Sequence, residues 1–130
     1  MDEKLKLFRC NICKNVVQMA VSGGGELVCC GEKMELLEEN EVEKNDPHYA
    51  HVEKISDSEK RIFFHHEMTK EHHIEFMEAI SYDKKYVKRK YFEIGEKPEL
   101  MLKCNCNDGF YVITYCNIHN VCKTKVEKDK

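Results

Sequence analysis

Gly109-Phe110-Tyr111-Val112-Ile113-Thr114-Tyr115 runs directly into Cys116-Asn117-Ile118-His119 near the end of this 130-residue chain. The first seven residues have the aromatic and β-branched composition of a strand. The next four place a thiolate and an imidazole three residues apart, and both groups are metal ligands. The stretch therefore predicts a sheet with a metal site at the end of one strand.

The other cysteines and histidines are unevenly distributed. All histidines follow position 47, namely His48, His51, His65, His66, His72, His73 and His119. The cysteines form an early group, Cys10, Cys13, Cys29 and Cys30, and a late group, Cys104, Cys106, Cys116 and Cys122. This distribution predicts two metal centres on two domains, one all-sulfur and one of mixed imidazole and thiolate ligands.

Composition narrows the class of protein. Residues 1–8 lack the apolar core of a secretory signal, and no stretch approaches a membrane span, so we expect a cytoplasmic protein with reduced thiols. The net charge of −3 and the absence of a basic face give little support to nucleic-acid binding, including by a zinc ribbon.

Charge also indicates the domain boundaries. Residues 38–46 carry five acidic side chains and one basic one and end at Pro47, which predicts an acidic linker. The expected organisation is a small domain over residues 1–37, a linker over 38–46 and a larger domain over 47–130.

Strand-like runs dominate both domains. In the first they are residues 16–21 and 26–28, joined through Ser22-Gly23-Gly24-Gly25. In the second they are residues 60–64, 74–80, 86–94 and 109–115, separated by turn signals. Residues 74–80 also fit helical periodicity, although their composition favours a strand. The prediction is an all-β protein whose larger domain is an antiparallel sandwich or barrel.

The early cysteines can surround one ion. Cys10 and Cys13 lie on one tight turn, and the adjacent Cys29 and Cys30 supply two more thiolates, which suits tetrahedral iron or zinc. Adjacent ligands predict a distorted tetrahedron. A purely structural zinc knot is the alternative.

The histidines can form a more open site. His66 and His72, His119 with Cys116, and His48 would give four imidazoles and one thiolate, with one coordination position free. Iron, copper, nickel and zinc all accept imidazole, so ligand type alone does not identify the metal.

These motifs resemble those of the desulfoferrodoxins, the two-iron superoxide reductases. The resemblance spans nearly the whole chain and rests on the adjacent cysteine pair, on Thr69-x-Glu71-His72-His73-Ile74 and on Tyr115-Cys116-Asn117-Ile118-His119. It implies a desulforedoxin-like metal knot followed by an immunoglobulin-like antiparallel β-sandwich of the neelaredoxin type.

The resemblance also implies ligands, an activity and partners. Iron would occupy the site of four cysteines, and a second iron, cycling between Fe(2+) and Fe(3+), would be held equatorially by His48, His66, His72 and His119 and axially by Cys116. His48 is preferred to His51 because Val52-Glu53-Lys54 follows at the expected distance, and His51, His65 and His73 are non-ligands. The family reduces superoxide to hydrogen peroxide with electrons from a small donor such as rubredoxin, and the resemblance suggests a homodimer.

The chain departs from the family before the first histidine. The usual Glu-Lys pair is replaced by Asp46-Pro47, so the lysine that attracts superoxide is missing and the carboxylate that caps oxidised iron is shorter. Glu67 and Met68 replace the usual Pro and Asn. Lys70 is the first candidate for a compensating cation, and Lys44 the second. The missing lysine leaves open a non-catalytic iron or zinc module for electron transfer or binding.

Three late cysteines have no ligand role in this scheme. Cys104-Asn105-Cys106 would suit a third metal or a redox-active pair, but buried or idle thiols are expected there and at Cys122.

Overall fold

The computed structural model describes residues 3–103 and 108–127. Two compact units share the chain, Met1–Glu38 and Glu39–Lys130. All of the regular secondary structure in the described residues is β-strand, which confirms the all-β prediction. No helix in this part of the chain has the length and apolar character that crossing a membrane requires.

From residue 3 onward, where its description begins, the first unit contains five short strands: β1 (Leu7–Arg9), β2 (Val16–Gln18), β3 (Val28–Cys29), β4 (Glu32–Lys33) and β5 (Glu35–Leu37). Strands β2, β1 and β5 form an antiparallel sheet in that order, and β3 pairs with β4. Phe8, Cys10 and Met34 form a small buried core. The two predicted strand runs thus belong to different sheets and do not form a hairpin across the glycines.

The described residues of the second unit, 39–103 and 108–127, form eight strands: β6 (Glu39–Glu41), β7 (His51–Ser56), β8 (Glu59–Phe63), β9 (Ile74–Ser81), β10 (Val87–Tyr91), β11 (Glu99–Lys103), β12 (Phe110–Cys116) and β13 (Asn120–Val126). One sheet has the order β10-β9-β12-β13-β6 and the other β11-β8-β7. The predicted sandwich is confirmed.

The core of the second unit lies between its two sheets. Its buried apolar residues are Ala50, Ile62, Phe64, Ile74, Met77, Ala79, Phe92, Leu100, Leu102, Phe110 and Val112. These side chains come from β8 and β11 of the smaller sheet, from β9 and β12 of the larger one, and from the segments that adjoin those strands. Burying them is the main stabilising term for the unit.

Strand β9 resolves the alternative between helix and strand at residues 74–80. It pairs antiparallel with β10 on one side and with β12 on the other. These long-range backbone hydrogen bonds, which local periodicity does not encode, fix the extended conformation.

Part of the predicted acidic linker is built into the larger sheet. Residues 39–41 form β6, which pairs in parallel with β13, and Lys123 contacts Glu39 at 3.6 Å. Residues 39–46 thus lie in the second compact unit. A charged strand can occupy a sheet edge because its backbone pairs while its side chains face solvent.

A matched pair of glycines tests the packing of the sandwich. Gly109 and Gly95 both adopt positive φ, 88° and 85°. A Cβ on Gly109 would lie 2.5 Å from the Val126 carbonyl oxygen and 2.6 Å from the Tyr82 hydroxyl, whereas one on Gly95 meets nothing within 4 Å. We expect Gly109→Ala to lower the free energy of unfolding by about 3 kcal/mol and Gly95→Ala by about 1 kcal/mol, since only the first adds a clash to backbone strain.

Denaturant unfolding of the two variants measures this difference. Equal losses would show that the close approach at Gly109 is relieved without cost.

Candidate metal centres

The four early cysteines converge in the first unit. Cys10 follows β1, Cys29 ends β3, and Cys13 and Cys30 lie in the turns beyond them. Their sulfur atoms all lie within 4.8 Å of one another, with Cys13 Sγ 3.6 Å from Cys29 Sγ. Bonds of about 2.3 Å to one tetrahedral ion would place sulfurs about 3.8 Å apart, so the group fits a metal ion.

The backbone explains how adjacent cysteines serve one site. Cys30 and Gly31 both adopt positive φ, 53° and 78°, which makes a tight turn between β3 and β4. The turn brings Cys30 Sγ to 3.9 Å from Cys29 Sγ. Local backbone strain of this kind is typical of ligand-binding turns.

Electrostatics also favours a cation at this group. The backbone N–H of Cys13 donates to Cys10 Sγ at 3.4 Å and lowers the pKa of Cys10 to about 6. Hydrogen bonds with the sulfurs of Cys13 and Cys10 raise the pKa of Cys29 to about 12, because they favour its protonated thiol, and repulsion from the charge of Cys10 adds to the shift. A bound metal ion would remove this repulsion and allow all four thiolates to form.

The second unit brings together the residues predicted for the mixed site. The ligand atoms of His48, His66, His72 and Cys116 lie within 4.8 Å of one another. His119 completes the group, with its Nδ1 3.2 Å from His72 Nε2 and 3.6 Å from Cys116 Sγ. We call these five residues the His4Cys group.

The spacing of nitrogen atoms suits a single ion. His66 Nε2 lies 3.1 Å from His48 Nε2, close to the 3.2 Å between His72 Nε2 and His119 Nδ1. Two nitrogens about 2.1 Å from one ion and at right angles to it would be about 3.0 Å apart. The group presents Nε2 of three histidines and Nδ1 of the fourth.

The sandwich core positions three of these rings. Each lies two residues from a buried core residue, Ala50 for His48, Phe64 for His66 and Ile74 for His72. Cys116 is the last residue of β12, and His119 lies in the turn that leads to β13. The residues of the His4Cys group therefore sit at strand ends and adjoining loops, which the packed core fixes in space.

The outward nitrogens of three rings also have partners. Asp46 Oδ1 lies 2.8 Å from His48 Nδ1, and Glu67 Oε1 lies 2.6 Å from His72 Nδ1. The backbone carbonyl of Glu67 accepts from Nδ1 of His66. With Nδ1–H donated outward, each ring turns the lone pair of Nε2 toward the group.

Burial decreases across the His4Cys group, from Cys116 to His119. Cys116 has no exposed area, His48 and His66 are buried, the side chain of His72 is 18% exposed and His119 lies at the surface. Burial lowers the pKa of His66 to about 4 and also lowers the pKa of His48. Both rings are therefore neutral near pH 7, as metal coordination requires.

Asp46 and Lys70 were predicted from their places in the sequence. Asp46 Oδ1 accepts from the backbone N–H of His48, also at 2.8 Å, and contacts the ring at Nδ1, away from Nε2. Lys70 is exposed in the loop between His66 and His72. Lys44 is exposed too. Burial lowers the pKa of His51, and the charges of His65 and Lys44 lower it further.

The three histidines predicted as non-ligands lie outside the group. Both ring nitrogens of His73 are engaged outside the group, with Thr69 O at 2.9 Å and Glu75 Oε1 at 2.7 Å. The rings of His51 and His65 pack against each other with centroids 4.5 Å apart.

The remaining cysteines divide between described and undescribed residues. Cys122 is buried in β13, and burial raises its pKa to about 11, which suits an idle thiol. Cys104 and Cys106 lie outside the described residues. None of the cysteines within the described ranges forms a disulfide.

Two polar residues of the site were not predicted to have a role. Asn117 Oδ1 accepts from the His73 N–H at 2.9 Å, and Asn117 Nδ2 donates to Glu71 O at 3.0 Å, so Asn117 joins the turn after β12 to the loop before β9. Glu67, noted in the sequence only as a departure from the family, contacts two rings. The position of Asn117 between Cys116 and His119 could have indicated a role at the site. No sequence pattern indicated that Glu67 would contact the rings.

Comparisons with known proteins agree with the geometry. The family described as "Desulfoferrodoxin, N-terminal domain" matches residues 2–37, and the family described as "Desulfoferrodoxin" matches residues 36–125. The desulfoferrodoxin of Syntrophotalea carbinolica is 36% identical over 93% of this chain and 96% of its own length. The desulfoferrodoxin homolog of Methanothermobacter thermautotrophicus is 34% identical over 93% and 98%.

A solved structure supports the fold. The superoxide reductase from Treponema pallidum superposes with a TM-score of 0.70 over 93% of this chain and 98% of its own, at 21% identity. At this identity the likeness establishes a shared fold.

The low pKa of His66 predicts how acid affects the metal-free protein. Its folded pKa of about 4 lies below the unfolded value of about 6.5, so the unfolded state binds more protons between these values. Stability is therefore full above pH 6.5 and falls as the pH drops toward 4, with His66 contributing at most about 3 kcal/mol.

Tyrosine fluorescence can follow this loss, because every tyrosine lies in the second unit. His66→Gln should lose less stability than wild type between pH 7.5 and 4.5, whereas His65→Gln should behave as wild type. Identical losses in both variants would assign the acid sensitivity to other groups.

Proposed function

This chain belongs to the desulfoferrodoxin family, and we propose that it is a superoxide reductase that converts superoxide to hydrogen peroxide with one electron and two protons and releases no dioxygen. The observation that carries the proposal is the His4Cys group, in which four ring nitrogens and one buried sulfur face a common point. Its relatives bear the desulfoferrodoxin name, and the superoxide reductase from Treponema pallidum shares the fold.

The donor set suits iron at both centres. We assign Cys10, Cys13, Cys29 and Cys30 as ligands of one iron, and His48, His66, His72, His119 and Cys116 as ligands of the other. Iron bound in the second centre would supply the electron that superoxide accepts. Thiolate and imidazole ligands also bind zinc, so metal content is a direct test.

The protein controls access through burial. Cys116 is fully buried at the end of β12, and the body of the sandwich keeps water from the sulfur side. His72 and His119 are accessible to solvent, so a small anion and two protons can reach the group from that side.

Neutral rings add no negative charge to the centre, so the positive charge of a bound metal ion would stay available to attract an anion. Burial lowers the pKa values of His48 and His66, so these rings bind through lone pairs and not as cations. We assign Asp46 to orienting His48, because its Oδ1 contacts both the backbone N–H and the ring of that residue. A carboxylate engaged there holds the ring and leaves the solvent side to the substrate.

Each turnover requires one electron from outside, and we propose a small donor such as rubredoxin. Cys13 and Cys30 are exposed, which makes the first centre accessible to a redox partner. A cytoplasmic location fits because thiolate ligands must stay reduced, and the six described cysteines are free thiols.

A homodimer is supported by the surface of the first unit. Val17 and Leu36 flank Phe8 on the β2-β1-β5 sheet and are 38% and 40% exposed. A second copy could cover this apolar face. Sedimentation of the metal-loaded chain would show a dimer, and a monomer at all concentrations would refute this part of the proposal.

The function is tested on anaerobically prepared protein. We expect two irons per chain and, after pulse radiolysis, one peroxide for each superoxide consumed together with no dioxygen. His66→Ala should lose one iron and slow the reaction more than about 100-fold, because removing a ligand exceeds the loss of an outer partner. The adjacent His65→Ala should keep both irons and the wild-type rate.

Zinc at the His4Cys group, or iron with no reaction toward superoxide, would favour the non-catalytic module. Dioxygen among the products would indicate dismutation.

Lys70 is proposed as the cation that replaces the missing lysine, because it is exposed on the loop between His66 and His72. Removing one steering charge acts first on encounter, so Lys70→Ala should lower the bimolecular rate with superoxide about two- to fivefold and weaken its salt dependence. Lys85→Ala is the control, since Lys85 follows the far end of β9, about 25 Å along the strand from His72. Equal rates for Lys70→Ala and wild type would exclude this role.

A further inference from the structure

One residue, Glu67, contacts two rings of the His4Cys group through two different groups. Its backbone carbonyl accepts from His66 Nδ1, and its carboxylate Oε1 lies 2.6 Å from His72 Nδ1. We propose that Glu67 is a positioning residue that fixes the orientation and tautomer of both rings and thereby sets how tightly the centre holds its metal ion. The inference rests on the metal site of the proposed function, but not on the reaction.

The chemistry follows from the two nitrogens of imidazole. A neutral ring has one N–H and one lone pair, so donation of Nδ1–H to Glu67 leaves the lone pair on Nε2. In His72 that Nε2 lies 3.2 Å from His119 Nδ1, inside the group. A carboxylate acceptor also makes the ring a better donor to a metal ion.

The loop that follows Glu67 holds the carboxylate in reach. The Thr69 N–H donates to His72 O at 3.0 Å, and the His72 N–H donates to Thr69 Oγ1 at 3.1 Å. This closed turn brings His72 close to Glu67, the residue that follows His66. The contact between Glu67 and His72 is therefore part of a defined loop and not a chance meeting of two surface side chains.

The neighbouring histidine provides a built-in comparison. Glu75 Oε1 contacts His73 Nε2 at 2.7 Å, almost as closely as Glu67 contacts His72. The other nitrogen of His73 is taken by Thr69 O, so this second pair cannot act on the metal centre. The side chains of Glu67 and Glu75 are 57% and 48% exposed, so replacing either one leaves the core intact.

The experiment compares Glu67→Ala and Glu67→Gln with the control Glu75→Ala in the full chain loaded with ferrous iron under anaerobic conditions. The rate of iron loss from the His4Cys group to a ferrous chelator is measured, with iron retained at the cysteine site as the internal reference. We expect loss to be about 10- to 100-fold faster for Glu67→Ala, the range for removing an outer partner. Glu67→Gln keeps an uncharged acceptor, so its rate of iron loss should lie between the rates of wild type and Glu67→Ala. The rate for Glu75→Ala should stay within about twofold of the wild-type rate.

A second measurement follows the proton itself. In zinc-loaded protein, proton–nitrogen NMR should show a protected Nδ1–H on His72, which Glu67→Ala removes and Glu75→Ala leaves unchanged. Iron loss from Glu67→Ala at the wild-type rate, or equal acceleration by Glu75→Ala, would overturn the proposal.

These readouts separate the inference from the proposed function. A chain that does not reduce superoxide but loses iron faster after Glu67→Ala would refute the function and keep the positioning role. A chain that reduces superoxide but loses iron at the same rate with and without Glu67 would support the function and refute the positioning role.

Discussion

Four imidazole rings and one cysteine sulfur converge on one place in the second unit, and nitrogen atoms of different rings come within 3.1 and 3.2 Å of each other. Lone pairs at this distance repel unless a cation lies among them, so the arrangement persists only if other forces hold the rings. Two forces do so here. The sandwich core fixes Ala50, Phe64 and Ile74 beside the ligand residues, and outward hydrogen bonds fix the ring planes.

The first unit meets a similar constraint with much less core. Its buried cluster consists of Phe8, Cys10 and Met34, and one of these three is itself a proposed ligand. A unit this small cannot bury enough apolar surface to be stable by packing alone, so a metal ion would supply a large share of its folding free energy. In the second unit the core cluster contains none of the five residues of the His4Cys group. The stability of this unit therefore does not require the site to be buried, and one side of the site is open to solvent.

Much of this could be predicted from the sequence. The strand composition of residues 109–115 and 74–80 predicted β12 and β9, because both strands are rich in apolar and β-branched residues. Strands β7, β11 and β13 were missed, since Glu, Lys and Asn interrupt or flank their apolar residues. The strand β6 was taken for a linker, because pairing at a sheet edge depends on backbone hydrogen bonds that side-chain composition does not reveal.

The sequence by itself determined which kinds of ligand this protein offers and how they are grouped, because cysteine and histidine at short spacings have few other uses in combination. The resemblance already implied His72 and not His73, but only the tertiary structure shows why His72 faces the group, and it alone decided that Asp46 and Glu67 contact the rings from outside. The physical reason is that two adjacent histidines differ by the direction of one side chain. That direction is set by strand ends, closed turns and hydrogen-bond partners, which come together only when distant segments pack.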